Sequence, residues 1–284
     1  MTIPGTNLAT IIRTVLPLAA PILLCAAQPT TAELRQNIEY ARPEGVGLAL
    51  DAFVPAGDGP FPAVIIVHGG GFTGGDRRHA VAPLREALSD GDFVWFSIDY
   101  RLAPAHKPGD ASDDLDAAAG FIRRHARRFK VDPSRIALVG ESAGGYLVLM
   151  AASRPGGNQI KAVAAVGAPA QLWTLAPEIV THVETALDIK GEAALRTASP
   201  ISHIGNSMPP VLLLHGSDDS HVPLVQAEAL CQAMQARRQS CELHVIQGGG
   251  HSANEWAAMP ASGGFPPVLR DWLVRRLAFA TASR

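Results

Sequence analysis

Ser142 stands in Gly140-Glu141-Ser142-Ala143-Gly144-Gly145, directly after the apolar run Arg135-Ile136-Ala137-Leu138-Val139 and directly before a helical pattern that starts at Tyr146. Gly-x-Ser-x-Gly at a strand-to-helix turn is a nucleophile elbow. The serine is held in a strained backbone conformation, so its neighbours must lack bulk. The helix that follows aims backbone N–H groups at the site and favours negative charge there. The chemistry expected of Ser142 is nucleophilic attack through a covalent intermediate.

A serine nucleophile needs a base, and the base needs an orienting carboxylate. With this elbow the chain order is serine, acid, histidine. Of the ten histidines, His215, His221, His244 and His251 fall late enough. His251 lies in Gly248-Gly249-Gly250-His251-Ser252, just past the last strand-like run, and is the expected base; His244 lies inside that run and reads as structural. The acid is Asp218 or Asp219, both leaving the preceding apolar run through the Gly216 turn. Spacing does not choose between them. One should face His251 and the other should serve as an outward turn residue.

His68-Gly69-Gly70-Gly71-Phe72 ends another apolar run. Consecutive glycines let backbone N–H groups approach a substrate oxygen, and with the N–H after the nucleophile they form an oxyanion hole. The expected donors are Gly70, Gly71 and Ala143, with His68 fixing the loop. The same glycines fit Gly-x-Gly-x-x-Gly over 69–74, with Asp99 after the next run, which is the outline of a dinucleotide fingerprint. That motif should open straight into a helix, whereas Gly75-Asp76-Arg77-Arg78 follows, and it leaves the serine elbow unexplained.

The elements that must carry these residues are legible as alternation. Short apolar runs occupy 63–67, 93–98, 135–139, 162–166, 211–214 and 242–246. Helical patterns occupy 110–130, 142–153, 222–238 and 267–280. Continuous apolar strands alternating with helices predict an α/β protein with a mostly parallel sheet covered on both faces. Residues 46–54 alternate and predict a half-exposed antiparallel strand. From 169 to 209 no strand pattern appears, which predicts a small helical insertion before the penultimate strand, a candidate lid. Phe72, Trp173 and residues of that insertion are apolar candidates for either an acyl pocket or the core.

The 284 residues carry a formal charge of −2, with 47% hydrophobic and 18% charged. That composition excludes a disordered chain, and the charge gives no reason to expect nucleic acid as a partner. The basic cluster from Arg123 to Lys130 reads as a solvated helix end. From Thr14 to Ala32 there is no charged residue, and the apolar part has the length of a signal-peptide core. Residues 1–32 are therefore read as a signal peptide, cleaved after Ala27 or Ala32, in preference to an uncleaved anchor. Residues 33–284 are then a single catalytic domain, periplasmic or extracellular, without stable membrane insertion. Cleavage removes Cys25 and leaves Cys231 and Cys241, whose spacing permits a disulfide. No metal motif such as His-Glu-x-x-His occurs, and no cofactor or metal is expected.

The loop His68–Phe72, the run Asp99-Tyr100-Arg101-Leu102-Ala103-Pro104, the elbow Gly140–Gly145 and the His-Gly-x-x-Asp-x-x-Val-Pro segment from His215 to Pro223 resemble the α/β-hydrolase-fold esterases. More narrowly, they resemble the branch of hormone-sensitive-lipase-like carboxylesterases and bifunctional feruloyl/acetyl-xylan esterases, over about residues 46–277. The loop Gly71–Arg77 is closer to the feruloyl/acetyl-xylan side. The resemblance implies the α/β-hydrolase fold, Ser142 as nucleophile, Asp219 as the acid and His251 as base. It also implies hydrolysis of carboxylic esters, of short or aromatic acyl groups on carbohydrate or small alcohols. Rival readings of the same fold are a secreted serine peptidase and an aryl-formamidase. A catalytically inactive binding protein would be expected to lack Ser142, Asp219 or His251.

Overall fold

The computed structural model describes residues 1–2, 31–154, 159–205, 208–257, 259 and 264–278. The apolar N-terminal stretch read as a signal peptide lies almost wholly in 3–30, outside the described residues. Among those described, no helix is long and apolar enough to cross a membrane.

Eight strands form one sheet: β1 (Glu33–Ala41), β2 (Leu48–Val54), β3 (Phe61–Val67), β4 (Val94–Ile98), β5 (Val131–Glu141), β6 (Ile160–Val166), β7 (Val211–Gly216) and β8 (Cys241–Ile246). Their order is β1-β2-β4-β3-β5-β6-β7-β8. β1 and β2 pair antiparallel, as do β2 and β4; every other neighbouring pair is parallel. This is the α/β-hydrolase sheet, with the expected apolar runs as its parallel strands.

Helices cover both faces because both faces of these strands are apolar. On one side lie α2 (Pro108–Arg124), α3 (Ala143–Ser153) and α6 (Val225–Ala236). Their buried residues, among them Leu115, Ile122, Leu147, Val148 and Leu230, pack on Ile65, Leu138, Val163 and Leu213. On the other side lie α1 (Ala82–Ala87), α7 (Ala253–Ala257) and α8 (Phe265–Leu277). Trp256, Phe265, Trp272 and Leu273 there meet Ile66, Val139, Ala164 and Leu214. The insertion between β6 and β7 is helical: two short 3-10 turns bracket α4 (Pro177–Leu187) and α5 (Glu192–Ala198).

One expectation needs correction, and one strand carried no sequence signal. β2 is antiparallel, but it is not half-exposed. Its second face is covered by Arg77 and Arg78, which bind buried Asp51, and by Trp95, which stacks on Phe53 at 5.8 Å. β1 was not anticipated. Glu33, Arg35, Gln36, Asn37 and Glu39 make it polar, as suits a sheet edge, and a register shift between Arg35 and Ile38, with Asn37 at φ 56°, interrupts its alternation.

Cys231 on α6 and Cys241 at the start of β8 form a disulfide, with Cα atoms 5.4 Å apart.

Candidate active site

β5 delivers Ser142 at its C-terminal end, where the chain turns into α3. Ser142 has φ 53° and ψ −116°, a conformation costly for a side-chain-bearing residue. The close turn explains its glycines. A Cβ at Gly140 would lie 2.3 Å from the Gly144 carbonyl oxygen, and one at Gly144 would lie 2.2 Å from that of Val67.

His251 Nε2 is 2.9 Å from Ser142 Oγ, and His251 Nδ1 is 2.8 Å from Asp219 Oδ2. The expected nucleophile, base and acid therefore form one hydrogen-bonded chain. Asp219 Oδ1 accepts from the His221 and Val222 N–H groups at 2.9 and 2.8 Å. Burial alone would raise the Asp219 pKa, but hydrogen bonds from His215, His251 and the Val222 N–H outweigh it and hold this carboxyl well below the usual range. His251 is displaced the other way. Burial disfavours its charged form, but the hydrogen bond and charge of Asp219, with smaller help from Glu141 and Glu255, hold its pKa above the ordinary imidazole value.

The glycine loop is aimed by its own carbonyls. In a trans peptide the C=O and N–H of one unit point opposite ways. Gly69 O accepts from His68 Nδ1 at 2.7 Å, which turns the Gly70 N–H away from it. Gly70 O accepts from Thr73 and Gly74 N–H at 3.1 and 3.0 Å, which fixes the Gly71 N–H. Ser142 O accepts from Tyr146 N–H at 2.9 Å, which fixes the Ala143 N–H. All three residues line one cavity with Ser142 and His251, and among the described residues none of the three N–H groups has a hydrogen-bond acceptor.

The run Asp99–Pro104 buttresses that loop. Tyr100 Oη donates to the His68 carbonyl at 2.9 Å, and its ring stacks on the His68 ring at 4.3 Å. Ala103 N–H donates to Phe72 O at 2.9 Å. Arg101 is buried against Asp114 at 3.0 Å. Asp99 accepts from the Arg77 backbone at 3.0 Å and pairs with its guanidinium. Asp99 thus belongs to an ion-pair network, and the glycine loop turns into the segment carrying Arg77 and Arg78 rather than into a helix. The dinucleotide outline has no structural counterpart. His68 is the loop-fixing residue expected, kept below the ordinary imidazole pKa by burial.

Sequence reasoning missed two parts of the site. His215 Nε2 lies 2.7 Å from Val222 O and 3.3 Å from Asp219 Oδ2, behind the acid. Glu141, buried beside Ser142, accepts from Ala253 N–H at 3.0 Å through Oε1, while Oε2 has no hydrogen-bond partner among the described residues. Burial, only partly offset by that N–H, pushes its pKa up to about 7. The insertion was a candidate for lining a pocket, and α4 contributes a cavity wall. The cavity is about 420 Å³ and is walled by Phe72, Leu175, Ile179, Val183 and Val222. Phe72 both lines it and packs edge-on against Tyr146 at 5.2 Å. Trp173 instead lies under the Arg196 guanidinium, 4.3 Å from its ring centre. Among the described residues no cluster of three or more His, Cys, Asp or Glu side chains is placed to hold a metal ion.

The BD-FAE family model matches residues 50–234 of this chain. The chain belongs to the BD-FAE family. The BD-FAE match runs from β2 into α6, so it contains the glycine loop, Ser142 and Asp219 and ends before His251. Among curated proteins, the chain is 29% identical over 192 residues to the probable carboxylic ester hydrolase LipM of Mycobacterium tuberculosis, covering 60% of this chain and 44% of that one. The chain spans about half the length of the curated relatives it matches. Among solved structures, a thermophilic esterase from Thermogutta terrifontis superposes with a TM-score of 0.70 at 23% identity, covering 89% of this chain and 95% of that one. A truncated carbohydrate esterase from gut microbiota gives 0.77 at 20% identity, covering 88% and 98%. These likenesses place the BD-FAE chain in the α/β-hydrolase fold.

Proposed function

We propose that this protein is a serine esterase that hydrolyses carboxylic esters through an acyl-enzyme. The observation that carries the reading is the chain Asp219–His251–Ser142, ending beside three N–H groups left open to the cavity. Ser142 Oγ attacks the ester carbonyl while His251 Nε2 takes its proton. Asp219 holds the proton on His251 Nδ1 and stabilises the imidazolium that forms. The carbonyl oxygen, now negative, receives hydrogen bonds from Gly70, Gly71 and Ala143, each worth roughly 3 kcal/mol by analogy with measured oxyanion donors. His251 then protonates the leaving alcohol, and water repeats the sequence on the acyl-enzyme.

The apolar cavity suits a short aliphatic or aromatic acyl group, with carbohydrate or a small alcohol as the leaving group. Names among the similar proteins support that range: a carbohydrate esterase and an acetyl ester-xyloside bifunctional hydrolase from Caldicellulosiruptor lactoaceticus. Export to an oxidising compartment is part of the proposal, supported by the uncharged N-terminal stretch and by the Cys231–Cys241 bond.

Ser142→Ala is expected to abolish turnover of p-nitrophenyl acetate and labelling by a fluorophosphonate while leaving thermal unfolding unchanged. Turnover retained in that variant would sink the assignment. Acetylated xylan, methyl ferulate, a peptide amide and an aryl formamide, assayed side by side, separate the esterase from its peptidase and formamidase rivals.

A further inference from the structure

The helical insertion reaches the oxyanion loop through one polar contact. His182 on α4 has its Nε2 2.8 Å from the Gly71 carbonyl oxygen. A carbonyl only accepts, so Nε2 carries the proton and donates. The approach is close: a Cβ at Gly71, where φ is +59°, would lie 2.7 Å from that nitrogen.

The contact falls where the loop lacks its own restraint. The Gly69–Gly70 and Gly70–Gly71 peptide planes are held from within the loop by His68, Thr73 and Gly74. The Gly71–Phe72 plane is not, and glycine offers little torsional resistance to its rotation. Among the described residues His182 is the donor that holds it. Ile179 and Val183 are four residues apart on one face of α4, His182 lies next to that face, three residues after Ile179, and all three line the cavity that contains Ser142.

The rest of the insertion is attached elsewhere. Gln226 binds the Ala170 and Gln171 N–H groups at 2.9 and 2.6 Å, and Tyr146 Oη donates to Ala198 O at 2.9 Å. Just past α4, Asp188 meets Lys107 at 2.8 Å in an exposed pair, which water and salt screen. α4 thus stands over the site between firmer anchors, with its polar contact to the catalytic machinery made by His182.

We propose that His182 is a positioning residue that couples the apolar wall of α4 to the oxyanion loop. A substrate group seated against Ile179 and Val183 presses α4 into place. His182 then holds the Gly71 carbonyl and with it the last peptide plane of the loop, which keeps in place the loop whose Gly70 and Gly71 N–H groups are aimed by His68, Thr73 and Gly74. Occupancy of the apolar wall is thereby read out in the chemical step as well as in binding. The kinetic consequence rests on the esterase reading; the coupling is a property of the loop.

The test uses His182→Ala and His182→Gln in the full chain, with two readouts. The first is amide exchange at Thr73 and Gly74, whose N–H groups report loop opening through their bonds to Gly70 O. It is expected to quicken at least fivefold in His182→Ala, with α8 unchanged; unchanged exchange at Thr73 and Gly74 overturns the coupling. The second is turnover of p-nitrophenyl butyrate. His182→Ala is expected to lower kcat about tenfold with KM within twofold, since small misplacements of catalytic groups cost rate. His182→Gln, whose amide can donate to the same carbonyl, is expected to recover most of it. A loss confined to KM, or no recovery by Gln, overturns the positioning role. Wild-type protein that turns over no ester would defeat the esterase reading, and the exchange measurement would still decide the coupling.

Discussion

Asp218 and Asp219 share a peptide bond and face opposite ways. Asp219 Oδ2 lies 2.8 Å from His251 Nδ1, whereas Asp218 Oδ1 accepts from Ser217 Oγ at 2.7 Å and the residue is exposed. Asp218 is a turn residue: its N–H donates to Gly249 O at 2.9 Å and helps set the loop that carries His251. Asp219→Asn should preserve the shape of the site while presenting His251 in the wrong tautomer, at a cost in kcat of about 10⁴-fold by analogy with the same change in a serine protease. Asp218→Asn should stay within about threefold of wild type. Steady-state kinetics of the two variants check this, and the reverse order would move the acid by one residue.

Glu141 sets the next expectation. Its pKa lies near 7 instead of 4.5 because of burial. Between those values the folded protein holds a proton that the unfolded chain releases, so this group lowers stability progressively as pH rises from about 4.5 to 7. The full effect is on the order of 3 kcal/mol. Glu141→Gln removes that slope, so its melting temperature relative to wild type should be more favourable at pH 8 than at pH 4.5. The charge of Glu141 also helps hold the His251 pKa up. The acid limb of kcat/KM, which reports His251 losing its proton, should therefore shift to lower pH in Glu141→Gln. Parallel melting curves and an unshifted acid limb would remove Glu141 from the electrostatics of the site.

What the sequence disclosed follows from how local each signal is. Ser142 was legible because its strand, turn and helix are consecutive and only glycines fit the turn. His251 was legible from chain order after the last strand. The choice of Asp219 over Asp218 was not legible from spacing, because it depends on which carboxylate the turn after β7 rotates inward; resemblance supplied it. β1 was hidden by the polar composition of a sheet edge. The second face of β2 was misjudged because its cover, Arg77 and Arg78, lies more than twenty residues away in sequence. Glu141 carried no signal beyond its place beside the serine, since only the three-dimensional structure shows Oε2 sealed without a partner. His182 lay in a stretch with no motif, and its role depends on α4 folding over a glycine 111 residues distant.

Asp51 anchors the segment that follows the glycine loop. Its two oxygens accept from Arg77 Nε at 3.0 Å and Arg78 Nε at 2.9 Å, and Oδ1 also takes the Asn37 N–H at 2.8 Å. Burial opposes the carboxylate, but these bonds outweigh it and lower its pKa. Its share of stability is therefore present above pH 3.8 and is lost as the pH falls below that value. Asp51→Ala leaves two guanidinium groups without their buried partner and should destabilise the fold by about 3 kcal/mol. Denaturant unfolding at pH 7 measures this. The difference from wild type should shrink as the pH approaches 3, and a constant difference would show that lost packing, not charge, is responsible.

The Cys231–Cys241 bond is expected to act on stability and not on catalysis. It closes a short loop between α6 and β8, with a sequence separation of 10. A cross-link of that span constrains the unfolded chain by roughly 3 kcal/mol in the chain-entropy account. Neither cysteine lines the cavity around Ser142. The double variant Cys231→Ser/Cys241→Ser should therefore melt several degrees lower than wild type while keeping kcat/KM at 25 °C within about twofold. Thiol titration of the protein unfolded without reductant should find neither of these two cysteines free. Two reactive thiols from Cys231 and Cys241, or an unchanged melting temperature in the double variant, would mean that the bond does not hold α6 to β8 in solution.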